Sequence, residues 1–93
     1  MHFIKYEFDA GPSDVIQVTI DNRANVRLLD PLNFEKYEKG KQHDYYGGYS
    51  KFSPIEFRPP TQGHWYVVID LGGYPGRVRA SAQKLDPPDR QIA

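Results

Sequence analysis

Ninety-three residues, 39% of them apolar, make one domain with a single core and leave no room for a second interior. Twelve basic and twelve acidic side chains cancel, so no overall field draws the chain to nucleic acid or to an anionic membrane. With no cysteine there are no disulfides, thiolate metal sites or thiol nucleophiles, and the composition points to the cytoplasm rather than an oxidising compartment.

No run approaches the roughly 20 apolar residues of a membrane helix, and Met1 to Glu7 lacks the apolar core of a signal peptide. Phe3 to Phe8 alternates instead, with Ile4, Tyr6 and Phe8 on one face, the period of a half-buried strand. Turn formers from Ala10 to Asp14 lead into a second alternating run, Val15 to Ile20, with Ile16, Val18 and Ile20 together. After the polar turn Asp21 to Asn25, Val26 to Leu29 reads as a third strand, and the three suggest an up-and-down start.

Residues 31–39 carry the one helix signal. Asp30 suits the N-cap, Pro31 the first helical position, and Gly40 the left-handed residue beyond the end. Phe34 and Tyr37, three apart, share a face, and so short a helix must dock those rings on a sheet edge or an open end to persist. Tyr45-Tyr46-Gly47-Gly48-Tyr49 follows, where the glycine pair implies a bulge, a bend or a close neighbour and alternation buries one face. Ser53 to Arg58 alternates with Ile55 and Phe57 inward, and Pro54 restricts it to a strand start or an edge.

Gly63 to Gly73 holds the longest apolar and aromatic run and reads as the central strand. Trp65, Val67, Ile69 and Leu71 face the core, while His64, Tyr66, Val68 and Asp70 form a face half-dressed for solvent. Gly72 to Gly76 is a loop, and Val78, Ala80 and Ala82 form the last inward face. Pairing Leu71 with Val78, Ile69 with Ala80 and Val67 with Ala82 makes a hairpin that sets Asp70 opposite Arg79. Residues 86–93 read as a polar, proline-rich tail or linker start after a single domain over 1–85. The fold class that follows is all-β, an antiparallel sandwich of about seven strands with one short helix, a partly open barrel being the other closure.

Chemistry-bearing residues are few. His43, Asp44 and His64 lack the close spacing of a metal site, and neither a metal nor a cofactor is expected. No serine occupies a Gly-x-Ser-x-Gly elbow, and His64 and Asp70, six residues apart, would stand roughly 20 Å from each other along a strand. A small hydrolase using His64 or His43 as base is therefore the alternative reading, as is an oligomerising domain pairing through the edge at Ser53 to Arg58. The favoured one is a non-catalytic recognition or adaptor module for a small ligand or protein partner. Its candidate contacts are Asn33 and Tyr37 on the helix, Tyr46 and Tyr49 beside the glycines, and His64, Tyr66 and Arg79 on the outer face. Tyrosine offers a large apolar ring with a polar tip, histidine a donor and an acceptor, and arginine a fork for a carboxylate or phosphate.

The stretches Asn25-Val26-Arg27-Leu28-Leu29-Asp30, Asn33-Phe34 with Tyr37, Tyr46-Gly47-Gly48, and Gly63-His64-Trp65-Tyr66-Val67-Val68-Ile69-Asp70 give the chain a resemblance that spans most of residues 1–83. It resembles an uncharacterised bacterial family, domain of unknown function eighteen eighty-three. The resemblance implies a compact β-sandwich, found alone or joined to Toll/interleukin-receptor-like signalling domains. It brings no activity and no assigned site residues.

Overall fold

The computed structural model describes residues 2–85; the expected tail from Asp86 onward lies outside them. Its strands are β1 (Ile4–Ala10), β2 (Val15–Ile20), β3 (Ala24–Leu29), β4 (Tyr46–Ser50), β5 (Ile55–Phe57), β6 (Gly63–Asp70) and β7 (Ala80–Leu85), with helix α1 (Pro31–Glu38) between β3 and β4. They form two antiparallel sheets, one ordered β1-β6-β3-β4 and the other β5-β2-β7. This is the all-β sandwich with one short helix, and it does not close into a barrel.

β6 is central, as its composition requires, with β1 on one side and β3 on the other. Phe8 lies opposite Trp65, Tyr6 opposite Val67 and Ile4 opposite Ile69, while Leu28 and Val26 flank Val67 and Ile69 from β3. These side chains meet Ile16, Val18, Ile20 and Phe57 of the second sheet in one core. Each fully buried aliphatic side chain there contributes about 1.5–3 kcal/mol of transfer free energy. The Tyr6 hydroxyl spans the two layers and donates to the Ala80 carbonyl at 2.7 Å.

Two expectations about neighbours fail. β1, β2 and β3 alternate between the sheets, so there is no up-and-down start. Nor do β6 and β7 form a hairpin: both edges of β6 are taken, and β7 lies against β2, with Ala82 opposite Val18 and Ala80 opposite Ile20. Val78, Ala80 and Ala82 still pack on the core, because an alternating strand reaches a core equally well from the opposite sheet. Asp70 consequently faces Asn25 of β3 rather than Arg79.

The helix forms over the residues that the sequence assigns to it. Asp30 caps it, its Oδ1 accepting from the Asn33 amide at 2.8 Å, and Gly40 follows its end at φ +69°. Asp30 alone separates β3 from α1, so the helix folds straight back over the outer face of the larger sheet rather than over an edge or an open end. Phe34 packs there with Leu29 and Val68, joined by Phe3, Tyr37 and Tyr66. Phe34 stacks on Tyr66 with centroids 4.1 Å apart, and the Phe3 ring meets Tyr37 edge-on at 5.2 Å. On the face of β6 expected to be half-dressed for solvent, Tyr66 and Val68 thus belong to a second, smaller core, while His64 at the strand's start stays partly exposed.

Candidate functional site

Four places gather polar or aromatic side chains. The first lies beneath α1. Asp70, 2% exposed, accepts hydrogen bonds from Asn25 Nδ2 (2.9 Å), Arg27 Nη1 (3.0 Å), the Tyr37 hydroxyl (2.6 Å) and the Gly72 amide (2.8 Å). Burial works against its charge, but the donations from Asn25, Tyr37 and Gly72 and the positive charge of Arg27 outweigh burial and hold the carboxyl below its ordinary value. The same setting pushes the Tyr37 phenol well up: burial first, then its bond to an oxygen that already carries negative charge. The Arg27 guanidinium lies on the Tyr45 ring, 4.8 Å from its centroid. Tyr37 is a candidate from the sequence that this arrangement commits to joining helix and sheet.

The second place is β4, the edge of the larger sheet. Gly47 and Gly48 have φ of +97° and +145°, and a Cβ on Gly47 would run into the Val26 carbonyl oxygen and the Phe57 ring. The close neighbour expected of this pair is there, and β4 keeps a continuous register with β3 from Ala24 opposite Ser50 to Leu28 opposite Tyr46. In place of one buried face, Tyr45, Tyr46 and Tyr49 are 45%, 52% and 59% exposed, and Phe52 just beyond is 81% exposed. Tyr46 meets Trp65 edge-on at 6.3 Å in a cleft of about 330 Å³ lined by Leu28, Asp30, Asn33, Asp44, Tyr45, Tyr46 and Trp65. Asn33 braces this cleft, its Nδ2 donating to Asp30 and its Oδ1 accepting from the Asp44 amide at 2.9 Å. Asn33 and Tyr46, both singled out in the sequence, are therefore neighbours.

The third place is a larger cleft, about 890 Å³, at the other end of β4. The β2–β3 turn supplies Asp21, Asn22 and Arg23, β4 and its exit supply Tyr49 and Lys51, and the loop after β6 supplies Leu71, Tyr74 and Pro75. Arg23, Lys51 and Tyr74 went unnoticed in the sequence because three separate turns bring them together. The one local signal was a tyrosine flanked by Gly-Gly and Pro-Gly, a loop tip with nothing to bury it.

The fourth place is the outer face next to β1. His64 lies between two carboxylates, Nδ1 2.9 Å from Asp9 and Nε2 2.9 Å from Glu7, and its ring meets Tyr66 edge-on at 5.0 Å. The hydrogen bonds to Asp9 and Glu7 raise its pKa above the ordinary value. Tyr66 is stacked on Phe34. Arg79 is not with them: it precedes β7 in the other sheet, and its amide donates to Asp21 Oδ1 at 2.6 Å. Tyr66 and Arg79, both expected on the outer face, are therefore not brought together. His43 packs edge-on against Tyr37 and beside Tyr45, with Nδ1 2.8 Å from the Lys41 carbonyl. Among the described residues no group of three or more histidines and carboxylates has the geometry to hold a metal ion, and no helix is long and apolar enough to cross a membrane.

A small antiparallel sandwich with a helix across one outer face and two clefts flanking an edge strand defines the class of protein. The family model for Domain of unknown function (DUF1883) matches residues 1–88, and the chain belongs to that family. No curated protein and no solved structure matches the chain.

Proposed function

We propose that the domain is a non-catalytic recognition module that binds a small ligand or protein partner along β4 and the clefts at its two ends. One observation carries this reading: four large aromatic rings, Tyr45, Tyr46, Tyr49 and Phe52, stand exposed in the segment 45–52, on and just beside the edge strand β4. Large apolar side chains cost free energy in water, and a contiguous exposed group of them marks an interaction surface more often than single exposed residues do. The glycines support the same reading, because they put no side chain between Tyr46 and Tyr49, and both rings stay open to solvent. Asn33 and Tyr46 supply a fixed polar group and an aromatic wall in the smaller cleft, a combination suited to orienting a ligand.

Thermal unfolding against a panel of nucleotides, sugars and small organic acids tests the proposal, since a ligand that prefers the folded state raises the midpoint by mass action. The expected result is a rise that Tyr46→Ala or Tyr49→Ala diminishes while leaving the ligand-free midpoint nearly unchanged. A rise that both variants retain would place binding elsewhere and overturn the proposal. If no compound raises the midpoint, a partner retained by the wild-type domain and lost by the doubly substituted one is the expected outcome, and equal retention by the two refutes the reading.

A further inference from the structure

We infer that the larger cleft binds a nucleoside phosphate, which deepens the recognition reading by giving one end of β4 a ligand class. The cleft, about 890 Å³, falls within the range of small-molecule sites, roughly 300–1,000 Å³. Its lining divides into three kinds of group that match the three parts of such a ligand.

Rings come first. Tyr49 and Tyr74 line the cleft from opposite segments of the chain and are 59% and 79% exposed. Rings this exposed are open to a flat base, which stacks on tyrosine with little dependence on its identity. Cations come second. Arg23 and Lys51 also line the cleft, and neither forms an ion pair among the described residues, whereas Arg27, Lys5 and Lys39 all do. An arginine fork and a lysine point charge are the usual protein partners of a phosphate, and two cations suit the charge of about −1.5 to −2 on a monophosphate at neutral pH. Third is Asp21. One of its oxygens accepts the Arg79 amide, which fixes the carboxylate at the rim and leaves the other oxygen as an acceptor for a sugar hydroxyl. Arg23 and Lys51 against Asp21 leave the lining with one net positive charge.

The loop after β6, which brings Leu71, Tyr74 and Pro75 to the cleft, comes close to β3. Gly72 and Gly73 hold φ of +66° and +86°, and a Cβ on Gly72 would stand 3.1 Å from Asn25 Nδ2. That approach lets the Gly72 amide reach Asp70 at 2.8 Å, so the loop carrying Tyr74 is anchored to the same buried carboxylate that holds the helix.

The test is a ¹H–¹⁵N titration of the whole chain at low salt with AMP, adenosine and inorganic phosphate as separate probes. AMP is expected to move the amides of Arg23, Tyr49, Gly72 and Gly73, and to bind at least about tenfold more tightly than adenosine or phosphate, each of which engages half of the site. Arg23→Ala combined with Lys51→Ala should weaken AMP by about tenfold and leave adenosine unchanged, and Tyr74→Ala should weaken AMP and adenosine alike. No shifts at millimolar AMP, shifts confined to the Asn33 and Tyr46 cleft, or equal affinity for AMP and adenosine would each overturn the inference. The recognition reading is judged separately, by whether Tyr46→Ala and Tyr49→Ala diminish the panel response, so AMP can fail here while that reading stands.

Discussion

Two charged clusters share the outer face of the larger sheet. Under α1, Asp70 meets Arg27, Asn25 and Tyr37 with its side chain 1% exposed; beside β1, His64 meets Glu7 and Asp9 with side chains 38%, 43% and 83% exposed. Distances in the two are alike, between 2.6 and 3.0 Å. Their energetics are not. Removing one partner of a buried pair strands the other in a medium that solvates charge poorly. At the surface water replaces a lost partner, and salt screens the attraction that remains. A short contact therefore says little until burial is known. The buried cluster ties helix, sheet and the loop after β6 into one unit; the exposed one decorates a strand pair that the backbone already holds.

The largest expected effect comes from the buried cluster. Asp70→Ala removes the acceptor of four donors and strands the Arg27 charge, and should cost about 3–5 kcal/mol in denaturant unfolding, a large share of the roughly 5–15 kcal/mol typical of a domain. A loss under about 1 kcal/mol would show that water replaces the carboxylate, making the cluster resemble its exposed counterpart. The pH dependence has a definite sign. Because the folded pKa of Asp70 is depressed, its contribution is complete above the ordinary value of 3.8 and is lost as pH falls through the lower folded value. Acid unfolding of the wild type should accordingly be steeper than that of the variant.

Tyr37→Phe is gentler. It keeps the ring against Phe3 and Phe34 and removes only the hydroxyl that donates to Asp70. Hydrogen bonds to charged groups contribute about 1.5–3 kcal/mol, and the loss should fall in that range. Since the two residues share one bond, Tyr37→Phe should cost much less in an Asp70→Ala background. Additive losses would mean that the hydroxyl has another role.

Sequence patterns revealed faces and missed neighbours. Alternation placed Trp65, Val67 and Ile69 in the core, and the cap and proline at Asp30 and Pro31 located the helix to within a residue. A period of two states which side of a strand is buried and nothing about which strand lies alongside. That is why Asp70 was matched to Arg79 across a hairpin that does not form, when Asn25 and Arg27 already stood on one face of an otherwise apolar strand and asked for a buried acid. The exposure of Tyr46 and Tyr49 was hidden for a local reason: alternation does not say that β4 lies at the edge of its sheet. The larger cleft was hidden for a global one: Arg23, Lys51 and Tyr74 meet only after the sheets have paired.

The smallest expected effect sharpens the comparison from the exposed side. Each nitrogen of His64 faces a carboxylate oxygen, so only the imidazolium donates to both; the neutral ring must present a lone pair to one of them. The hydrogen bonds to Asp9 and Glu7 raise the His64 pKa, so its contribution is complete below the ordinary 6.5 and is lost as pH rises through the folded value. Glu7 titrates the other way. Its hydrogen bonds to His64 and Lys5 lower its pKa, so its contribution is complete above the ordinary 4.5 and is lost as pH falls through the folded value. The cluster therefore acts at full strength between pH 4.5 and 6.5. His64→Ala should lower the thermal midpoint most near the middle of that window, less at pH 8, and less again as sodium chloride is added. Its lost contact with Tyr66 supplies a part that neither pH nor salt moves. A deficit constant across pH would assign His64 to packing alone, and one that resists salt would mean that this cluster is shielded from water much as Asp70 is.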